Sequence, residues 1–288
     1  VMVAVGTAMG FYSEEQALHA VDFNTIGLLL GMMILVGMLE RTGFFQYAAI
    51  VAGQWSKGSP WLLMVTLGTV TTVLSLVLDN VTTIILIAPV TIWIAQSLGL
   101  NPIPLLIANA LLSNTGGVGT LVGDPPNIII GSAAGFTFND FLLHTLPVAT
   151  VAWIVVLGTL RLVFRRELAM KPQHIDALLE MNAGEALQDP TTLRRLLIVF
   201  AAVVLMFFLH NTFHLSPAFV ALAGGAAALL WIRPPIDGIL ESVEWSVLLF
   251  FAALFIAVGG LEASGILEAL GESVAGLATE NLLLAAIV

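Results

Sequence analysis

The stretch SNTGGVGTLVGDPPN, residues 113–127, decides the fold that the sequence predicts. It places four glycines, two adjacent prolines, an aspartate and two asparagines between strongly apolar flanks. In a lipid bilayer, backbone groups outside regular structure find no water, so broken backbone is tolerated only where protein or a water-filled cavity satisfies it. The stretch is therefore the first candidate for a binding site, and a kink without any ligand is the alternative.

The rest of the chain has the composition of a membrane protein. It is 59% hydrophobic with a mean hydropathy of +1.02, and 10% of its residues are charged, against about a quarter in soluble domains. We therefore expect an all-α polytopic, multi-pass membrane protein. A prokaryotic plasma membrane is the expected location. Seven segments approach the roughly 20 apolar residues that cross a bilayer: 23–39, 60–78, 84–98, 148–164, 196–210, 217–232 and 245–261.

Two further features of the composition restrict the function. The chain has no cysteine, which excludes disulfides, thiolate catalysis and cysteine-ligated metals. Its formal net charge of −10 disfavours a nucleic-acid partner. The expected partners are the lipid bilayer and a small-ion substrate. No Ser/His/Asp or metal-ligand pattern indicates an enzyme.

The basic residues predict the topology. Six of the nine Lys and Arg lie in residues 161–195, so the loop 165–195 is expected to be cytoplasmic by the positive-inside rule. All nine fall on that side only if residues 60–98 form a re-entrant hairpin and residues 103–135 form one interrupted crossing. We therefore predict a hairpin at about 60–98 and an unwound transmembrane helix at about 103–135.

An internal repeat accompanies these features. VDFNTIGLLLGMMILVGMLERTG (21–43) aligns without a gap to VEWSVLLFFAALFIAVGGLEASG (243–265), so residue n corresponds to residue n + 222. Seven of the 23 positions are identical, including Gly37 with Gly259. A chance match of two apolar helices is the alternative. The charge topology runs the two copies in opposite directions, as in inverted-repeat secondary transporters.

The repeat and the charge pattern divide the chain into three parts. Residues 1–164 are expected to be a first repeat that lacks its first helix, and residues 165–195 a cytoplasmic linker. Residues 196–288 are expected to start a second inverted repeat that lacks its own hairpin and broken helix. On this division the chain is a fragment of an inverted-repeat transporter.

The turn of the predicted hairpin carries the first candidate site residues. Asp79, Asn80, Thr82 and Thr83 offer carboxylate, amide and hydroxyl oxygens to a cation or a proton. An ionisable residue inside a membrane is a functional candidate by default. A short external loop between two full spans is one alternative, and a helix N-cap at residue 79 or 80 is another.

The broken helix supplies the second set of candidates. Its glycines allow close approach of the backbone to a ligand. Backbone N–H groups at the break could hold an anion and carbonyl groups a cation, as at half-helix ends in transporters. Two prolines, at 125 and 126, delay the next helix until residue 127. The candidate residues are Ser113, Asn114, Thr115, Gly116, Gly117, Gly123, Asp124 and Asn127.

Two motifs resemble a known group of proteins. LDNVTTIILIAPV (78–90), followed by SNTGGVGTLVGDPPNIIIGSAAGFTFNDFL (113–142), resembles the ion transporter superfamily, its ArsB/NhaD-type permeases, and within them the pink-eyed-dilution P-protein group. The resemblance implies two inverted repeats, each with a re-entrant hairpin and an unwound helix. In related sodium-coupled dicarboxylate carriers these elements bind sodium and the substrate carboxylate, which implies a Na⁺ site at Asp79, Asn80 and Asn114. Such proteins are often homodimers.

The resemblance implies a secondary active transporter of a small ion. The ion is an oxyanion, another anion or Na⁺, and its movement is coupled to H⁺ or Na⁺ by alternating access. No cofactor is expected besides the coupling ion. A passive anion channel and a dicarboxylate-type sodium symporter are the alternatives. The symporter is disfavoured because Asp79 and Asp124 stand where the dicarboxylate carriers have serine and threonine.

Overall fold

The structure is a computed structural model that describes residues 2–173 and 175–268, and within these ranges the regular structure is entirely helical. The predicted all-α class is confirmed. Two short 3₁₀ segments, Glu167–Ala169 and Ala183–Ala186, lie in the linker. The α-helices are α1 (Met2–Met9), α2 (Glu14–Ala20), α3 (Phe23–Glu40), α4 (Phe44–Trp55), α5 (Pro60–Ser75), α6 (Asn80–Ser97), α7 (Ile103–Gly117), α8 (Pro125–Ala134), α9 (Phe138–Val163), α10 (Ile175–Leu179), α11 (Pro190–Leu209), α12 (Pro217–Ile232), α13 (Ile236–Ser242) and α14 (Trp245–Ala263).

Several of these helices match the dimensions of a bilayer. Among the residues that the structure describes, α3, α6, α9, α11 and α14 are long and apolar enough to cross a membrane. Helices α5 and α12 are apolar but shorter, with 16 residues each. A helix of 16 residues is about 24 Å long, and the hydrocarbon core is about 30 Å thick. Because α6 could cross the core by length, the re-entrant form of the α5–α6 pair stays a prediction.

Two helices differ most from the sequence-based segments. Helix α9 begins at Phe138 instead of residue 148, because a capping box starts it early. The Thr137 hydroxyl accepts from the Asp140 N–H, and the Asp140 carboxylate accepts from the Thr137 N–H, both at 3.1 Å. Helix α4 was not predicted at all. It follows Gly43, whose left-handed φ of 78° turns the chain between α3 and α4.

The chain divides into two compact units. One combines residues 2–26 with residues 244–268, and in it α14 packs on α1 and α2. The Tyr12 hydroxyl donates to the Ile256 carbonyl at 2.9 Å in this unit. The other unit runs from Gly27 to Val243 and contains the hairpin, the broken helix and the linker. Residues 269–288, predicted to continue the second repeat, lie outside the described residues.

In the larger unit, the linker packs against the open end of the α5–α6 pair. The Gln173 N–H donates to the Leu98 carbonyl, just after α6, at 2.8 Å. Ile175 lies against Gly58, just before α5. The Gln188 N–H donates to the Thr42 carbonyl at 3.0 Å. Both ends of the hairpin and the end of α3 therefore meet the linker, an arrangement that the charge topology requires.

At the opposite end of the same unit, the start of α9 contacts the end of α11. The Phe138 N–H donates to Nε2 of His210 at 3.3 Å, and the Asn139 amide donates to the Phe208 carbonyl at 2.9 Å. Helix α7 begins beside the linker, since Pro104 and Leu168 line one small crevice. The chain from α7 through α8 therefore runs from the linker end to the α11 end in two helical pieces.

The helix boundaries repeat with the spacing of the sequence. Helices α2 and α13 both have seven residues, and each boundary of α13 is that of α2 plus 222. Helices α3 and α14 begin at Phe23 and Trp245, which the alignment also pairs. The repeated spacing thus extends to the short helix that precedes each long one. The inverted orientation of the two copies stays a prediction.

Candidate functional site

Asp79 occupies the turn of the α5–α6 hairpin as the N-cap of α6. One carboxylate oxygen accepts from the N–H groups of Val81 at 3.0 Å and Thr82 at 2.9 Å. These are N–H groups that an α-helix leaves without intrahelical partners at its start, so the aspartate sets where α6 begins. The N-cap at residue 79, one of the alternatives predicted from the sequence, is therefore present. Capping does not prevent Asp79 from also binding an ion.

The hairpin is hydrogen bonded to α7 through four side chains. The Asn80 amide donates to the side-chain oxygen of Asn114 at 2.6 Å. The Ser113 hydroxyl donates to the Asn80 carbonyl at 2.8 Å, and its oxygen lies 3.4 Å from that of Ser75. The structure thus brings together the two polar stretches that the sequence singled out, although they lie more than thirty residues apart.

The broken helix is interrupted over a shorter span than predicted. Residues 113–117 remain helical at the end of α7, and regular helix is absent only over residues 118–124. Helix α7 persists because its turns stay paired, as in the bond from the Val118 N–H to the Asn114 carbonyl at 3.2 Å. Helix α8 begins at Pro125 instead of Asn127, because proline is tolerated in the first turn of a helix.

Gly116 allows α7 to lie directly on α5. A β-carbon at this position would stand 3.0 Å from the Cα and carbonyl carbon of Thr72, closer than packing permits. The Thr72 hydroxyl donates across the same contact to the Leu112 carbonyl at 3.1 Å. The predicted close approach of glycine backbone is therefore made to a neighbouring helix.

The interrupted segment is fastened to the hairpin turn. The Thr120 hydroxyl donates to the Leu76 carbonyl and accepts from the Gly123 N–H, the latter at 3.1 Å. A β-carbon on Gly123 would stand 2.6 Å from the carbonyl oxygens of Ser75 and Gly117. The turn and the break therefore form one continuous packed structure.

Asn127 joins the two halves of the broken helix. Its buried amide donates to the Gly117 carbonyl at 2.9 Å and the Thr120 carbonyl at 2.8 Å. These carbonyls lie where α7 stops, so they have no donor from a following helical turn. The side chain, singled out as a ligand candidate, thus has a structural task that the sequence did not indicate.

Asp124 brings a second carboxylate to this region. It stands at the N-cap position of α8 but makes no side-chain capping bond. It is partly exposed, and it interacts electrostatically with Asp79. The turn and the break therefore place two acidic groups in one neighbourhood.

The remaining candidates differ in availability. The hydroxyls of Thr83 and Thr115 donate to carbonyls one turn earlier in their chain, Asp79 and Leu111, both at 2.8 Å. Thr83 is buried, Thr82 is partly exposed and Asn114 is exposed. Asn114 is therefore better placed than Thr83 or Thr115 to offer a side chain to a ligand.

A buried pair of polar residues between α6 and α7 was not predicted from the sequence. The Asn109 amide donates to the Thr91 hydroxyl at 2.9 Å, and both residues are at most 1% exposed. The oxygen of the Asn109 amide has no donor within the described ranges. The signal was present in IPLLIANALLSNTGG, because Asn109 precedes Ser113 by one helical turn and shares its face.

Comparison with known proteins supplies the family. The profile of the citrate transporter family matches residues 1–288. An uncharacterized transporter of Mycobacterium tuberculosis is 42% identical over 280 residues, covering 97% of this chain and 64% of that protein. Magnetosome protein MamN of Magnetospirillum gryphiswaldense is 32% identical over 273 residues, 93% of this chain and 62% of that protein. P protein of Sus scrofa is 32% identical over 332 residues, 90% of this chain and 39% of that protein.

The chain thus spans less than two thirds of the length of these relatives. The similarity to P protein confirms the resemblance found in the motifs, whereas the ArsB/NhaD-type assignment stays a prediction. The family and the mycobacterial relative are named for transport and not for an enzymatic activity. With its apolar helices and bacterial relatives, this chain is a multi-pass plasma-membrane protein that belongs to the citrate transporter family.

Proposed function

We propose that this chain forms part of a secondary active transporter that moves a small ion by alternating access, coupled to H⁺ or Na⁺. The observation that carries the proposal is the hydrogen-bonded junction between hairpin turn and broken helix. Asn80, Asn114 and Ser113 meet there, beside two carboxylates and among apolar helices. Discontinuous helices with polar groups at the break are how transporters build sites within a membrane.

The charges favour a cation at this junction. Asp79 and Asp124 repel an anion. Carboxylate and amide oxygens are suitable ligands for Na⁺, and a carboxylate can also take up a proton. The Asn114 oxygen accepts one hydrogen bond from the Asn80 amide, and its second lone pair could ligate Na⁺ together with Asp79 and the side-chain oxygen of Asn80. An anionic substrate such as citrate, suggested by the family description, would then need a co-bound cation.

Reciprocal packing supports an inverted repeat. A β-carbon on Gly37 of α3 would stand 2.8 Å from Cβ of Ser242 in α13. One on Gly259 of α14 would stand 2.5 Å from Cβ of Ala20 in α2. Under the n + 222 relation, Gly37 corresponds to Gly259 and Ala20 to Ser242. Each repeat therefore packs its long helix on the short helix of the other, the exchange that a two-fold relation produces.

The test is transport by the full-length protein in proteoliposomes. Uptake of citrate, arsenite, chloride and Na⁺ is measured with Na⁺ and pH gradients imposed separately. The account predicts gradient-dependent, saturating uptake of at least one ion. Asn114→Ala should reduce that uptake, and the control Asn24→Ala, an exposed asparagine at the start of α3, should not. Flux that rises linearly with concentration and ignores both gradients would favour the passive channel.

A further inference from the structure

A basic cluster stands at the linker end of α9. Arg161, Arg165, Arg166 and Lys171 lie within eleven residues of a chain whose net charge is −10. All four side chains are exposed. Within the part of the chain that the structure describes, none of them forms an ion pair with a carboxylate. The cluster is therefore a local positive field that no described carboxylate neutralises.

One arginine of this cluster is fixed in place by an aromatic ring. The guanidinium carbon of Arg161 lies 4.9 Å from the ring centroid of Trp61, in the first turn of α5. A cation over a tryptophan face is attracted by the ring quadrupole, and tryptophans favour the headgroup level of a membrane. The contact links the end of α9 to the base of the hairpin.

Apolar surface continues from the cluster along α9. Leu162 and Val163 are 75% and 64% exposed, and they directly follow Arg161 in a helix of 26 residues. Glu167, the one acidic residue among residues 161–171, lines a small crevice with Pro60. The surface thus combines arginines that no described carboxylate neutralises with exposed apolar side chains. This is the pattern expected for binding a lipid headgroup and its acyl chains.

We propose that this surface binds an anionic phospholipid from the leaflet on the linker side. Arg161 and Arg165 are four residues apart in the chain and would share the phosphate, with Arg166 and Lys171 adding to the field. Guanidinium groups bind phosphate with two parallel hydrogen bonds, and basic residues beside membrane helices select anionic lipids. The acyl chains lie along the exposed face of α9.

The bound lipid has a consequence for transport, which rests on the proposed function. Because Trp61 belongs to α5, the lipid sits where α9 meets the base of the hairpin. Its occupancy therefore affects how freely the hairpin and α7 move against α9. Transport is expected to depend on the anionic lipid content of the membrane.

Lipid binding is tested without transport, so a failure of the transporter proposal does not affect the result. The purified full-length protein is titrated with phosphatidylglycerol and with phosphatidylcholine of the same acyl chains, and bound lipids are counted by native mass spectrometry. We expect phosphatidylglycerol to bind at least about tenfold more tightly, and 1 M salt to weaken it. Equal affinity for the two lipids would overturn the proposal.

Variants that remove arginines from two different places locate the site. The triple variant R161Q/R165Q/R166Q should lose the preference, and the double variant R194Q/R195Q, which removes charge from the start of α11, should keep it. If the triple variant does not fold, Arg161→Lys with Arg165→Gln serves instead, since it keeps one charge but removes the paired guanidinium groups. Loss of the preference in R194Q/R195Q with retention in either cluster variant would overturn the assignment.

Discussion

At the scale of single residues, the polar groups of the candidate site carry structural and chemical tasks together. Asp79 caps α6, Asn80 and Ser113 tie the turn to α7, and Asn127 satisfies the carbonyls at the break. The residue types of this set could be predicted from the sequence. Their partners could not, because bonds such as that from Asn127 to Gly117 depend on how the chain turns between α7 and α8.

Asn127→Ala tests the task of the buried amide. The change leaves the carbonyls of Gly117 and Thr120 without a donor, which costs about 1–3 kcal/mol for buried groups. A lower Tm in detergent is expected. Asn139→Ala is the matched control, because it removes an exposed bond to a carbonyl and should change Tm far less. Equal Tm for both variants would contradict the role of Asn127.

At the scale of elements, the sequence predicted the approximate positions of the helix pair and the broken helix. It did not predict the secondary structure within the break. Pro60 and Asp79 mark helix starts by local chemistry, and both starts can be predicted from the sequence. The helical conformation of residues 113–117 could not be predicted from the sequence, because glycine has low helix propensity. Packing against α5 overrides that propensity, and it is a contact between segments forty residues apart. Helix α4 was missed because twelve residues are too few for a spanning segment.

Two glycine substitutions test this packing with opposite signs. Gly116→Ala places a β-carbon against the Thr72 backbone and is expected to destabilise the fold by about 1–3 kcal/mol. Gly158→Ala, in α9, meets no atom within 4 Å and should stabilise the helix by about 0.5–1 kcal/mol. Thermal unfolding of the two variants side by side measures both. A stabilised Gly116→Ala would show that α7 does not lie on α5 as described.

At the scale of the whole molecule, the inverted repeat stays a proposal, and the n + 222 relation supports it. It pairs helix boundaries, and it pairs the contact of Gly37 on Ser242 with that of Gly259 on Ala20. The alignment of two helices was visible in the sequence. The two matching helix contacts could not be predicted from the sequence, because each joins segments about two hundred residues apart.

Compensating substitutions test the exchange. Gly37→Ala should lower Tm, and adding Ser242→Gly should restore most of the loss, because Ser242 is the side chain in the way. Gly259→Ala should also lower Tm, with only partial rescue by Ala20→Gly, since the Tyr12 hydroxyl lies 2.8 Å from the added carbon as well. Strictly additive effects in both pairs would contradict the reciprocal contacts.

The junction of hairpin turn and broken helix is proposed as an ion site, and substitutions at Asp79 separate ion binding from helix capping. Asparagine caps a helix about as well as aspartate, so Asp79→Asn should leave Tm unchanged, whereas Asp79→Ala should lower it through loss of the cap. The measurement is gradient-driven uptake by the full-length Asp79→Asn protein in proteoliposomes. The account predicts a loss of at least about tenfold, because a charged ligand group is removed. Uptake at the wild-type rate and with the wild-type ion dependence would contradict it.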